Sequence, residues 1–167
     1  MNERIFSFPP VADARSRVLV LGTAPSVASL AQGFYYAHPR NAFWPILSKI
    51  AGREASSPEQ RRALALEAGV ALWDTIGSCE RAGSLDSAIR SPQPNDIAAL
   101  LREYPGIQAI FCNGGTAWRL YQRHFGQSIA LPALALPSTS PAYTLPFDQK
   151  YALWCEAFAR YGVPVSG

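Results

Sequence analysis

Between Phe34 and Trp44 the chain reads Phe-Tyr-Tyr-Ala-His-Pro-Arg-Asn-Ala-Phe-Trp, so that five aromatic rings, an imidazole, a guanidinium and a carboxamide fall within eleven residues. Aromatic faces around a polar amide can grip a flat heteroaromatic group and aim a hydrogen-bonding atom at it. Pro39 disfavours helical geometry at His38 and turns the segment into an extended or looped one. Two consecutive tyrosines on such a segment do not both point inward, so at least one of Tyr35 and Tyr36 is expected to line a surface or pocket. Asn41 is the polar residue placed to face chemistry. It has an equally plain structural role as a helix N-cap before Phe43, and one position can do both. His38 is open in the same way, between a packed histidine and a ligand contact.

Four other clusters have chemical content. Gly22-Thr23-Ala24-Pro25-Ser26 follows an apolar run and matches neither the P-loop nor the dinucleotide fingerprint. It is either a turn that brings backbone amides to a ligand or a plain connection. Asn113-Gly114-Gly115 suits a tight strand-to-helix turn with close backbone approach. Ser138-Thr139-Ser140-Pro141 offers three hydroxyls that serve as phosphate ligands or as a turn and cap. Asp74, Glu80 and Asp86 are carboxylates without a spacing that sets two on one face, so they carry little weight as acid or base, and no metal site is legible. A small-molecule hydrolase of the α/β type would need a G-x-S-x-G elbow, which the chain lacks.

The elements that must position these clusters follow from periodicity. Arg17–Leu21, Val70–Trp73 and Ile107–Cys112 are short apolar runs of the kind buried on both faces of a parallel sheet, and Leu131–Leu136 is a weaker fourth with Pro132 at its start. Helices are expected from Ser26 to about Ala31, over 42–51 with Gly52 as its stop, and over 58–68. The last of these has Ser57 as cap, Pro58 at the first position and Gln60 three residues on. Further helices are expected after Asn95 to Glu103, through Trp118, Leu120 and Tyr121, and over 148–161. Residues 77–83 read as loop, Leu85–Ile89 as one helical turn, and Pro92 and Pro94 as chain breaks. Residues 1–16 read as a lead-in with Phe6 and Phe8 tucked against the body. The alternation implies one α/β domain over 1–167, a three-layer α/β/α sandwich about a central, mostly parallel four-stranded sheet. Loops leaving the carboxyl ends of its strands share an edge: Gly22–Ser26, Asp74–Cys79, Asn113–Thr116 and Ser138–Ala142 are expected to converge there.

Composition agrees with an ordinary folded domain, 49% apolar and 16% charged, with a net charge of +3 carried almost wholly by arginine. Arginine suits phosphate, but the same bias arises from a GC-rich genome, so charge alone leaves a nucleic-acid partner open. Cys79, Cys112 and Cys155 are odd in number and far apart, which argues against a disulfide framework or cysteine metal site and for three buried or half-buried thiols. Without a leader-like start or an apolar run of 18 residues, a cytoplasmic chain with no membrane segment is expected.

Taken in order, Gly22-Thr-Ala-Pro-Ser, Tyr35-Tyr-Ala-His-Pro-Arg-Asn-Ala-Phe-Trp44, Leu72-Trp-Asp with Ser78-Cys-Glu-Arg and Gly83-Ser-Leu-Asp86, Asn113-Gly-Gly-Thr-Ala117 and Leu136-Pro-Ser-Thr-Ser-Pro-Ala142 resemble the uracil-DNA glycosylase superfamily, in particular its hypoxanthine-DNA glycosylase branch, family 6. The resemblance implies an enzyme of base-excision repair. It would hydrolyse the N-glycosidic bond of a deaminated base flipped out of double-stranded DNA, hypoxanthine first and uracil opposite guanine second, as a monomer without cofactor or metal. Other branches carry a water-activating Asn or Asp in the first loop, where this chain has Thr23 and Ala24. In the hypoxanthine branch the catalytic asparagine matches Asn41. The histidine that the wider superfamily often has near Ser138 is missing, and branches with an iron-sulfur cluster need four cysteines where this chain has three. By the same resemblance Thr23, Ala24, Tyr36, Phe43 and Asn113 would hold the base, and His38, Arg40, Ser138, Thr139, Ser140 and Ala142 the DNA. A non-catalytic nucleic-acid-binding module of the same fold is the rival expectation.

Overall fold

The computed structural model describes residues 4–166. Its centre is a four-stranded sheet of β2 (Val18–Gly22), β3 (Val70–Asp74), β6 (Ala109–Asn113) and β7 (Ala133–Leu136), in the order β3-β2-β6-β7 with every pairing parallel. The runs are continuously apolar because both faces are covered. Val18, Val20, Leu72 and Phe111 pack into one layer with α2 (Phe43–Ala51), α3 (Pro58–Ala68) and α6 (Phe147–Arg160). Leu19, Leu21, Ala71 and Ile110 pack into the other with α4 (Ile97–Glu103) and α5 (Gly115–Phe125). Successive residues of a strand point to opposite faces, so one sheet feeds both cores. The expected three-layer sandwich is therefore present, with Trp154, Phe111 and Phe158 at the centre of the thicker layer.

Local signals set the helix ends. The Ser57 hydroxyl accepts the Gln60 N–H at 3.1 Å, and Gln60 Oε1 accepts the Ser57 N–H at 3.3 Å, a reciprocal capping box. Ser57→Ala should lower stability by about 1 kcal/mol, read as a lower denaturation midpoint at unchanged slope. α1 (Val27–Gln32) begins at Ser26, whose hydroxyl accepts the Ser29 N–H.

Five expectations need correction. Residues 77–83 are not all loop and Pro92 and Pro94 do not end regular structure: β4 (Ile76–Glu80) and β5 (Arg90–Pro94) form, with β1 (Arg4–Phe6), an antiparallel sheet in the order β1-β4-β5. Both prolines lie in β5, an edge strand where a missing N–H is tolerated, and the β4–β5 register slips twice. Only Ile76 and Cys79 of β4 are buried, so neither strand carries an apolar run. The lead-in is consequently part of the fold, with Val11 bridged to Leu72. Phe6 is not tucked in but 62% exposed, whereas Phe8 packs edge-on against Tyr35. Finally, Asp96 and not Asn95 caps α4 by accepting the Ala99 N–H, because the Asn95 amide is used elsewhere, donating to the Asp74 carbonyl at 2.8 Å.

Candidate active site

A cavity of about 720 Å³ opens at the carboxyl edge of the parallel sheet. The first loop from Gly22 through Ser26, the end of β3 at Asp74, the end of β6 at Asn113 and the loop from Ser138 to Ala142 all reach it, as the topology requires. Tyr36, His38 and Asn41 supply one wall. Of the residues expected to hold a base, Thr23, Ala24, Tyr36 and Asn113 stand on the cavity. Of those expected at the DNA, so do His38, Ser138, Thr139, Ser140 and Ala142.

Phe43 and Arg40 do not line the cavity. Phe43 is 1% exposed and lies behind Tyr36, ring centroids 4.6 Å apart, because its place on the core face of α2 turns it toward Trp154. Arg40 is exposed outside the cavity, and its N–H is donated to His38 Nδ1 at 3.0 Å. Tyr35 contributes at the cavity's edge but is nearly all core, its hydroxyl donating to the Phe8 and Pro9 carbonyls. Of the aromatics in this segment Tyr36 is therefore the main one on the cavity, which Phe8 and Tyr143 also line. Its φ of +53° is a left-handed conformation that a bulky residue rarely adopts, at a cost of about 1–3 kcal/mol, and its ring packs against Phe43 while lining the cavity.

Asn41 sits at the entry to α2. Its side-chain oxygen accepts the Phe43 N–H at 2.9 Å, and its own N–H is donated to the His38 carbonyl at 2.9 Å. The amide is thus held in one orientation, with a second lone pair and both N–H bonds of the NH₂ still to offer. Asn41 is not the N-cap itself, since that position falls on Ala42, which has no side-chain cap; its amide oxygen nonetheless holds the first N–H of α2.

The loop after β7 is fixed by its carbonyls. Trp154 Nε1 donates to Pro137, the Ala42 N–H to Thr139 and Lys150 Nζ to Ser140, at 2.8, 2.9 and 3.1 Å. Thr139 is correspondingly buried and does not offer its hydroxyl to a phosphate. Its Oγ1 accepts from Asn113 Nδ2 and its N–H is donated to Asn113 Oδ1, both at 2.9 Å. Thr139 orients Asn113, which keeps one amide N–H and one lone pair. Thr139→Val, which preserves shape while stranding that donor, should cost about 1–3 kcal/mol, seen as a lower unfolding midpoint. Gly114, at φ +97°, lets the two loops approach: a Cβ there would stand 3.0 Å from that of Ser138.

Asp74 has a burial that the sequence did not reveal. It is 3% exposed and faces the cavity. Ser7 Oγ donates to its Oδ2 at 3.2 Å. Burial pushes its carboxyl up to about 7, against the smaller opposing effects of the Ser7 hydrogen bond and the charge of Arg81. Oδ1 and the Tyr36 hydroxyl crowd one point above Gly22, 2.6 and 3.1 Å from where a Cβ would stand. The Tyr36 hydroxyl is buried and without a hydrogen-bond partner among the described residues, and burial followed by the charge of Asp74 raises its pKa. Because the Asp74 carboxyl titrates higher folded than unfolded, the chain loses stability as pH rises from the ordinary carboxylate range to about 7. Asp74→Asn should therefore raise the melting temperature above neutral pH and change it little in acid.

Arg81 closes the structure around this edge. It is buried, and its guanidinium donates to the Pro25 and Gly83 carbonyls, tying the first loop to the segment after β4. Ser84 Oγ accepts the Val27 N–H at 2.8 Å across the same seam.

Comparison with known proteins agrees with this geometry. The family model described as "Uracil DNA glycosylase superfamily" matches residues 9–160. A hypoxanthine DNA glycosylase of Methanosarcina barkeri is 31% identical over 157 residues, covering 92% of this chain and 97% of the relative. One of Methanosarcina acetivorans is 31% identical over 112 residues, covering 66% and 71%. A solution NMR structure of a candidate uracil DNA glycosylase from Methanosarcina acetivorans superposes with a TM-score of 0.78 at 26% identity, over 95% of this chain and 99% of that one. With the family model spanning nearly the whole fold and every loop it gathers at the cavity, this chain belongs to the uracil DNA glycosylase superfamily.

Proposed function

We propose that the chain is a monofunctional DNA glycosylase that removes hypoxanthine from double-stranded DNA by hydrolysis, leaving an abasic site, and that it acts as a cytoplasmic monomer. The observation that carries this reading is the joint presence on one cavity wall of Tyr36, whose ring faces the space, and Asn41, whose amide is oriented by Phe43. The relatives named for hypoxanthine give the choice of base.

Hydrolysis of a nucleoside C–N bond passes through a cationic sugar, so the protein must hold water, stabilise the departing base and position the DNA. The flipped base stacks on Tyr36, and extrusion is least costly for a mispaired base. The backbone at Thr23 and Ala24, with the remaining N–H of Asn113, meets its polar edge. The free lone pair of Asn41 Oδ1 holds the attacking water. As a neutral amide Asn41 orients more than it deprotonates. Ser138 and Ser140 meet the flanking phosphates with His38 and Arg40, and Ala142 lies at the groove beside Tyr143, which is 48% exposed. Strand cleavage through a covalent amine adduct is not part of the reading. Lys49 lies over the Tyr151 ring and Lys150 binds the Ser140 carbonyl, and neither lines the cavity.

The test is single-turnover excision from labelled duplexes bearing one hypoxanthine or one uracil, followed by alkali. Cleavage at hypoxanthine is expected. Cleavage at uracil alone would keep the mechanism and overturn the substrate. Tight, salt-sensitive binding with no cleavage of either would make the chain a binding module. A borohydride-trapped covalent adduct would overturn the monofunctional chemistry.

A further inference from the structure

The geometry points to Asp74 as a second catalytic residue of this site: a protonated carboxyl on the cavity floor that donates its proton to the leaving base. This rests on the glycosylase reading above. Three observations carry it. Asp74 is buried and yet lies on the cavity, reached from β3 by a backbone fixed through Asn95. Among the described residues its carboxylate has no salt bridge, because the nearby guanidinium, Arg81, is spent on the Pro25 and Gly83 carbonyls, and its side-chain polar contact is the Ser7 hydroxyl. The Tyr36 hydroxyl, close to the same point over Gly22, is buried without a hydrogen-bond partner among the described residues. A carboxyl placed this way is suited to remain neutral until it meets a base, and burial raises its pKa to about 7.

The chemistry calls for such a group. Asn41 cannot accept a proton from water, so the barrier must fall on the side of the base. In the step inferred, the C1′–N9 bond breaks with its electron pair moving into the purine. The Asp74 O–H bond breaks as N7–H forms, so hypoxanthine leaves neutral. Water adds its oxygen to C1′ and loses a proton to solvent. The Asp74 carboxylate is reprotonated from solvent once the base has gone. The groups that bear on its titration are Ser7 from the lead-in, Tyr35 and Tyr36 from the aromatic segment, Arg81 and Cys79 from β4 and its exit, and Asp86 from the turn beyond.

The experiment is single-turnover excision of hypoxanthine under saturating enzyme from pH 5 to 9, with duplex affinity measured separately by anisotropy, for the parent, Asp74→Asn and Ser7→Ala. The parent rate should be highest in acid and fall as pH rises through neutral. Asp74→Asn should lose about 100-fold at pH 6, lose that limb and keep its affinity. Ser7→Ala, which removes the hydrogen bond favouring the charged form, should move the limb to higher pH. A limb that persists in Asp74→Asn would overturn the assignment. A defect that saturating enzyme abolishes would do the same, making Asp74 a binding contact only. A parent that cleaves no hypoxanthine at any pH would fail the glycosylase reading itself, and this assignment with it.

Discussion

Asn41→Ala is expected to slow single-turnover base excision by about 100- to 1,000-fold while duplex affinity stays within a factor of a few. The amide is positioned for this by the chain around it. The Phe43 N–H holds Oδ1 and the His38 carbonyl holds the Asn41 backbone, so the free lone pair points in one direction before substrate arrives. Such preorganisation costs nothing at the moment of reaction, which is why a single positioned dipole can be worth several powers of ten. Truncation also leaves the Phe43 N–H without its acceptor at the start of α2, at about 1 kcal/mol, too little to unfold the domain. A melting curve therefore separates the two effects. Asn41→Asp keeps the acceptor for Phe43 and adds a charge, so it should retain more activity than the alanine variant. If Asn41→Ala excised hypoxanthine at the parental rate, the residue would serve only to hold the Phe43 N–H at the entry to α2.

Gly22→Ala is expected to have the second largest effect. The new methyl carbon would stand 2.6 Å from Asp74 Oδ1 and 3.1 Å from the Tyr36 hydroxyl. Gly22 cannot retreat, because it is the buried last residue of β2, paired on the β3 side and accepting the Thr75 N–H at 2.8 Å. The side chains must move instead. Overpacking of this kind costs about 1–3 kcal/mol, and displacement of reacting groups by about an ångström costs about 100-fold in rate. Circular dichroism should report a folded protein with a lowered melting temperature, and excision should fall while binding of undamaged duplex is unchanged. Parental excision by Gly22→Ala would show that neither Asp74 nor the Tyr36 hydroxyl has to sit where it does.

Local physics made much of the molecule legible in its sequence. Arg17–Leu21, Val70–Trp73 and Ile107–Cys112 read as strands, found within a residue or two at Val18–Gly22, Val70–Asp74 and Ala109–Asn113, because burial on both faces keeps the body of each run apolar. Ser57-Pro58-Glu59-Gln60 announced its helix because a capping box is made within four residues. Parallel pairing then brings the loops at 22–26, 74, 113 and 138–142 to one edge, so the place of the cavity followed from the alternation of elements.

What needed the tertiary structure were relations between distant residues. β4 is a largely polar central strand between β1 and β5, and β5 a polar edge strand that carries both prolines; their pairing with neighbours leaves no period in either of them. Tyr36 and Phe43 are both aromatic within one segment, and only their packing decided that the first meets the cavity and the second, on the core face of α2, supports it. Thr139 is a hydroxyl in a serine-rich loop until Asn113, 26 residues away, claims it. Asp74 closes an apolar strand and reads there as a strand end. Its burial, its one hydroxyl partner 67 residues earlier and the glycine that makes room for it are properties of packing, and packing is what shifts a carboxyl toward neutral pH.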